Sequence, residues 1–180
     1  SAVVPRAGEL ADADFRAAVD EAFAAVAERG RGAARAPIRF WNYVPRLHQP
    51  SADGFTRYEV FNGGRYDGLR RCFGEEHLRT AVVTSSGLGH RGEDFVLHAL
   101  LAPVAGRPVE NPRQIPAYRY SKRYGALPPC FSRATLLSSP LLVDGELVQG
   151  LVAGTAAIVG EDTAYPGNLG MQLEVTLLNL

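Results

Sequence analysis

Apolar residues recur at helical spacing in residues 14–29, where Phe15, Val19, Ala22, Phe23 and Val26 fall on one stripe. This predicts an amphipathic helix, with Asp12 or Asp14 to cap its start and Gly30 and Gly32 to stop it. Residues 38–44, IRFWNYV, are rich in β-forming side chains and end at Pro45, so they predict a strand. Helical spacing returns over residues 55–73, with Tyr58, Phe61, Leu69 and Phe73 on one side. Gly63 and Gly64 interrupt it, and each costs about 1 kcal/mol relative to Ala in a helix. A close backbone approach is expected there, to a ligand or, more simply, to a packed neighbour.

Residues 80–85 and 95–101 read as strands joined by a turn-rich SSGLGHRGED stretch. From 106 to 129 the period breaks down among prolines, which predicts a long irregular segment whose tyrosines argue against disorder. Strands resume at 131–137, 141–143 and 146–159, with Asp144-Gly145 as a hairpin turn, and a last helix is predicted over 169–180. This order gives an α/β (α+β) fold: a mixed β-sheet with helices packed on one face. Residues 1–36 are expected to form an N-terminal helical segment and 37–180 the core domain.

The 180 residues suffice for one domain with a real core, and 46% hydrophobic with 21% charged residues is ordinary for a globular chain. Nineteen basic residues balance nineteen acidic ones, so no global field draws the chain to nucleic acid or to an anionic membrane. No stretch approaches the ~20 apolar residues that span a bilayer. Cys72 and Cys130 make no disulfide framework, and a cytoplasmic setting follows as the simpler expectation. Residues 1–8 lack the order of a secretion signal and do not begin with Met, so a trimmed or tagged piece of a longer chain is expected.

Charge is unevenly spread. Arg107, Arg113, Arg119, Lys122, Arg123 and Arg133 face one acid, Glu110, in the irregular segment and the strand after it, with tyrosines interleaved. Such a loop suits a small carboxylate, because a guanidinium binds one with two parallel hydrogen bonds; a solvated loop with surface arginines is the plainer alternative. Arg133 sits inside the apolar run FSRATLL, on the face shared by Phe131 and Thr135, either snorkelling at an edge or buried against an acid or ligand. His48, His77, His90 and His98 show no metal-ligand spacing, and no phosphate loop, dinucleotide fingerprint or GxSxG is present. No metal or cofactor is called for.

Five motifs occur in order: FWNYVP (40–45), RYEVFNGGR (57–65), ENPRQIPAYRYSKRYG (110–125), PPCFSRA (128–134) and GTAAIVGEDT (154–163). Together they resemble the chorismatase family, from about residue 38 to 180. GLVAGTAAIVG followed by QLEVTLLNL is similar to the strand and final helix of the reactive-intermediate deaminase fold, whose simple members are trimers. The resemblance implies a substrate-binding, C-terminal part of a chorismatase, lacking the family's N-terminal domain. It implies removal of pyruvate from chorismate, giving a dihydroxycyclohexadiene carboxylate or a hydroxybenzoate for natural-product biosynthesis. The alternative is an impaired or repurposed relative that binds a small cyclic carboxylate. A homotrimer or a partner subunit is expected, with neither nucleic acid nor membrane as a partner.

By the same resemblance, Arg133 is the carboxylate clamp, with Arg57, Arg65 and Lys122 as weaker candidates. Tyr118, Tyr120 and Tyr124 are placed around the ring, and Thr155 in the binding stretch. Where the family commonly reads SGTASIVGHES, this chain has Ala153, Ala157, Glu161 and Asp162 at the varied positions. Asp162, assisted by Glu161, is therefore the expected proton donor to the enol ether. In the last helix Val175 stands where a Glu is expected, with Glu174 beside it.

Overall fold

The computed structural model describes residues 1–51 and 54–180. Strand β1 (Ala2–Val4) leads to helix α1 (Asp12–Gly32), β2 (Ala36–Pro45), α2 (Arg57–Phe73) and the single turn α3 (His77–Thr80). Strands β3 (Thr84–His90) and β4 (Phe95–Ala102) complete a four-stranded sheet of order β1-β4-β2-β3. β2 and β3 run parallel, and the other pairs are antiparallel. Alternation along β2 and β4 turns Phe40, Val44, Phe95 and Leu97 inward, where Phe15, Val19 and Phe23 of α1 and Phe61 of α2 cover them. The expected mixed sheet with helices on one face is what the chain forms. Phe15, Val19, Phe23 and Val26, before residue 37, pack in one cluster with Phe40, Val44, Phe95 and Leu97 after it.

The glycines of α2 are seam residues. A Cβ on Gly64 would lie 2.4 Å from the Arg16 carbonyl oxygen and 2.8 Å from Val19 Cβ, and one on Gly68 would lie 2.8 Å from Phe23 Cβ. The close approach expected at this helix is therefore made by α1. α2 begins at a capping box in which Glu59 reaches back to the Thr56 backbone N–H at 2.8 Å.

The second half is a smaller sheet. β5 (Gly106–Val109), β6 (Ala134–Val143) and β7 (Glu146–Val152) pair antiparallel in that order, followed by the short hairpin β8 (Ile158–Val159) and β9 (Asp162–Thr163). Helix α4 (Leu169–Leu178) ends the chain, its first turn capped by Asn168, which accepts from Met171 N. The Thr84 N–H donates to Thr135 Oγ1 at 2.8 Å and Ser132 N to the Val83 carbonyl at 3.3 Å, which sets the start of β6 beside β3. The long strand expected over 146–159 stops at Val152, and the segment expected to be irregular carries β5 and two 3-10 turns, Ala117–Arg119 and Lys122–Tyr124.

Candidate active site

A cleft of about 480 Å³ opens where β3, α2, the 3-10 turns and the β7–β8 connection meet. Its floor is Ser85, Ser86, Gly87 and Leu88 of β3. From sequence most of this stretch reads as a turn, since Ser and Gly are poor strand formers; backbone pairing to Phe40–Tyr43 of β2 overrides that weakness. A Cβ on Gly87 would meet the Tyr58 ring at 3.4 Å, so the strand leaves open space on its cleft side.

Two guanidinium groups enter the cleft. Arg65 of α2 is 1% exposed; Nη2 donates to Asn62 Oδ1 at 2.9 Å and Nη1 to Ser85 Oγ at 3.3 Å. Asn42 donates to the same Ser85 hydroxyl oxygen at 2.8 Å, so a polar network between sheet and helix fixes the head. Arg133, just before β6, donates from Nη2 to the Tyr120 hydroxyl at 2.7 Å. Both cations lie over Phe131, at 5.7 Å for Arg65 and 5.1 Å for Arg133 from the ring centroid. Their hydrogen bonds go to neutral oxygens, and Nε of each is buried without a partner among the described residues. Arg65 is buried and Arg133 half-buried, and an arriving anion offsets the cost of holding such cations on neutral oxygens.

The opposite wall is built from the tyrosine-rich segment. Tyr120 and Tyr124 pack with ring centroids 5.4 Å apart, and the Tyr124 hydroxyl donates to the Glu161 carbonyl at 2.6 Å. Thr155 lines the cleft with its Oγ1 buried and unpartnered. Asn179, after α4, clips these pieces together: its side chain donates to the Ala156 and Ile158 carbonyls at 2.9 Å and accepts from Arg113 Nε at 3.1 Å.

Of the residues singled out from sequence, Arg133, Arg65, Tyr120, Tyr124, Thr155 and Glu161 meet in the cleft. The others lie outside its lining. Arg57 is 3% exposed under the N-terminal segment, donating to the Ala7 and Leu10 carbonyls and packed 4.0 Å from the Phe15 ring centroid; it ties that segment to α2. Lys122 projects into solvent. Tyr118 packs against the core. Asp162 points away from the cleft because Thr163, its strand neighbour, faces in; its exposed carboxylate pairs with Arg123. Glu161 accepts from Ser121 N at 2.8 Å, and that hydrogen bond, with Arg123 nearby, holds its carboxyl below the usual range. Of the expected proton-donor pair, Asp162 therefore lies outside the cleft lining, and Glu161, within it, is stabilised as the anion. Burial pushes the Cys130 thiol up to about 11, which removes it as a nucleophile.

Sequence reasoning missed Ser85, Ser86 and Phe131 as lining residues, and Tyr58 and Glu59 from RYEVFNGGR. The last two were signalled by their place between a cap and the glycine seam. Among the described residues no three His, Cys, Asp or Glu side chains gather as metal ligands, and no helix is long and apolar enough to cross a membrane.

Comparison with known proteins gives one family. Residues 2–102 match the family model described as chorismatase FkbO/Hyg5-like, N-terminal. The match therefore falls on the part of the family that was expected to be absent. A 3-hydroxybenzoate synthase of Streptomyces hygroscopicus is 35% identical over 178 residues, 98% of this chain and 50% of the relative. A chorismatase of Streptomyces rapamycinicus is 39% identical over 143 residues, covering 79% of this chain and 41% of its own length. A crystal structure of a chorismatase superposes with a TM-score of 0.74 at 29% identity, over 92% of this chain and 48% of that one. The chain spans about half the length of the curated relatives it matches.

Proposed function

We propose that this chain, which belongs to the chorismatase FkbO/Hyg5-like family, binds chorismate in the cleft over Phe131 and takes part in removing its pyruvate. One observation carries this reading: Arg65 and Arg133 approach a single aromatic ring, and the guanidinium hydrogen bonds of both go to neutral oxygens. Chorismate is a ring acid with a second carboxylate on an enol ether, and two guanidinium groups match that pair of charges. Tyr120 and Tyr124 then face the ring, and Thr155 offers a free hydroxyl to its oxygens. The product is a dihydroxycyclohexadiene carboxylate or a hydroxybenzoate. Release requires a proton on the enol-ether methylene, for which a positioned acid contributes roughly 10²–10⁴ in rate.

A second reading is favoured by the acids themselves. Glu161 is held as the anion and Asp162 faces solvent, so the cleft as built binds a small cyclic carboxylate better than it protonates one. On that reading turnover needs a partner subunit or is lost. Incubation with chorismate, with pyruvate assayed and products identified by mass spectrometry, separates the two. Pyruvate release establishes the enzyme; calorimetric binding of chorismate without pyruvate establishes the binder; neither signal from folded protein sinks the cleft reading.

The same reading includes a homotrimer or an association with a partner subunit, in a cytoplasmic setting. The outer face of α4 supports association, because Leu169, Leu173 and Leu177 are 81%, 57% and 61% exposed. Light scattering on purified chain measures the stoichiometry, and a monomer at all concentrations removes the trimer.

A further inference from the structure

Glu110 stands behind Arg133. β5 and β6 pair as far as Val109 with Ala134, so Glu110 leaves β5 next to the point where Arg133 enters β6. Both carboxyl oxygens of Glu110 are shut off from solvent and lack a close side-chain donor among the described residues; the Arg133 backbone N–H is the donor that bears on them. Arg133 Nε is buried and unpartnered as well. An acid and a half-buried guanidinium are therefore held close together at the head of one strand pair, coupled through space and through the Arg133 backbone N–H. Burial pushes the Glu110 carboxyl above the usual range, against the opposing pull of Arg133 and Arg119. The groups that face it are Arg133 at the head of β6, and Tyr118 and Arg119 from the first 3-10 turn.

We propose that Glu110 is a proton-exchanging counter-charge for Arg133: ionised while the cleft is empty, it takes up a proton when a ligand carboxylate engages that guanidinium. This rests on the reading that Arg133 grips a carboxylate. The physical cause is competition, since two carboxylates beside one half-buried cation repel each other and one of them is driven neutral. Glu110 is the one that yields, because the ligand acid is also held by Arg65 while both Glu110 oxygens are shut off from water. Glu110 does not border the cleft, so it is a positioning residue that acts through Arg133. The proton comes from solvent and returns when the ligand leaves, so no bond other than O–H changes.

The sign follows from linkage. The ligand raises the proton affinity of Glu110, so binding is tightest below the carboxyl's free-state pKa. Affinity then falls with rising pH by up to roughly tenfold per pH unit, and levels off above the ligand-bound pKa. Calorimetry with 3-(carboxymethoxy)benzoate, a stable ring acid carrying a second carboxylate on an ether, tests this in two buffers of different ionisation enthalpy. Wild type should take up close to one proton per ligand inside that window. Glu110→Gln should abolish the uptake and flatten the pH profile, and Glu110→Asp should restore part of both. Binding by wild type without uptake, or uptake unchanged in the Gln variant, overturns the proposal and leaves the cleft reading standing. No binding by wild type overturns the cleft reading and this inference with it. Should the Gln variant fail to fold by circular dichroism, infrared difference spectra of wild type with carboxyl-labelled probe decide. A protein protonated-carboxyl band that rises with ligand supports the proposal, and its absence overturns it.

Discussion

Two arginines that look alike in sequence have opposite jobs. Arg57 and Arg65 flank the same RYEVFNGGR motif, but eight positions of helix turn one toward the N-terminal carbonyls and the other toward β3. Arg57→Ala should lower stability by about 1–3 kcal/mol, because backbone carbonyls lose a charged donor, and should leave ligand affinity unchanged. Chemical denaturation and calorimetry measure the two effects separately. Arg133→Ala should do the reverse, weakening dicarboxylate binding by roughly 10–100-fold for about 1.5–3 kcal/mol of charge-assisted hydrogen bonding. Equal affinity in that variant would remove the clamp. Arg133 was legible because a guanidinium inside an apolar strand demands a reason. That Asp162 lies outside the cleft lining was not legible, because motif position alone does not say which side of a two-residue strand a carboxylate takes.

At the scale of elements, long amphipathic patterns were read well and weak ones were not. α1 extends from Asp12 to Gly32 around the stripe of Phe15, Val19 and Phe23, since a helix held by a buried face is fixed by its periodicity. β3 was expected at 80–85 and lies at Thr84–His90, because its hold on the sheet is backbone pairing to β2, which leaves no mark on side-chain pattern. The glycines of α2 gave a true signal of close approach. Gly64→Ala should gain up to about 1 kcal/mol of helix propensity yet lose about 1–3 kcal/mol to the clash with the α1 backbone. A net fall in the denaturation midpoint checks it. His77 of α3 stacks on Phe73 at 4.7 Å, and burial lowers its pKa. A folded-state pKa below the unfolded value means stability is full above about 6.5 and declines as pH falls through the lowered value. His77→Gln should flatten that decline in pH-dependent denaturation.

For the molecule as a whole, the two sheets have unequal surfaces. The first is covered by α1 and α2, whereas Leu142 and Leu147 at the β6–β7 turn are each 70% exposed, as is most of the α4 leucine face. Leu173→Glu with Leu177→Glu should therefore keep the fold and lower any self-association seen by light scattering. The cleft lies where these two unlike halves meet. Its floor there is laid by a strand of serines and a glycine. Room for the ligand is thus kept by the smallest side chains available, and it can be lost one methyl at a time. Gly87→Ala would bring a carbon to 3.4 Å from the Tyr58 ring without disturbing the backbone pairing. Substrate range in such a protein can drift by single-codon changes in β3, far ahead of any change in the arginines proposed to supply the grip.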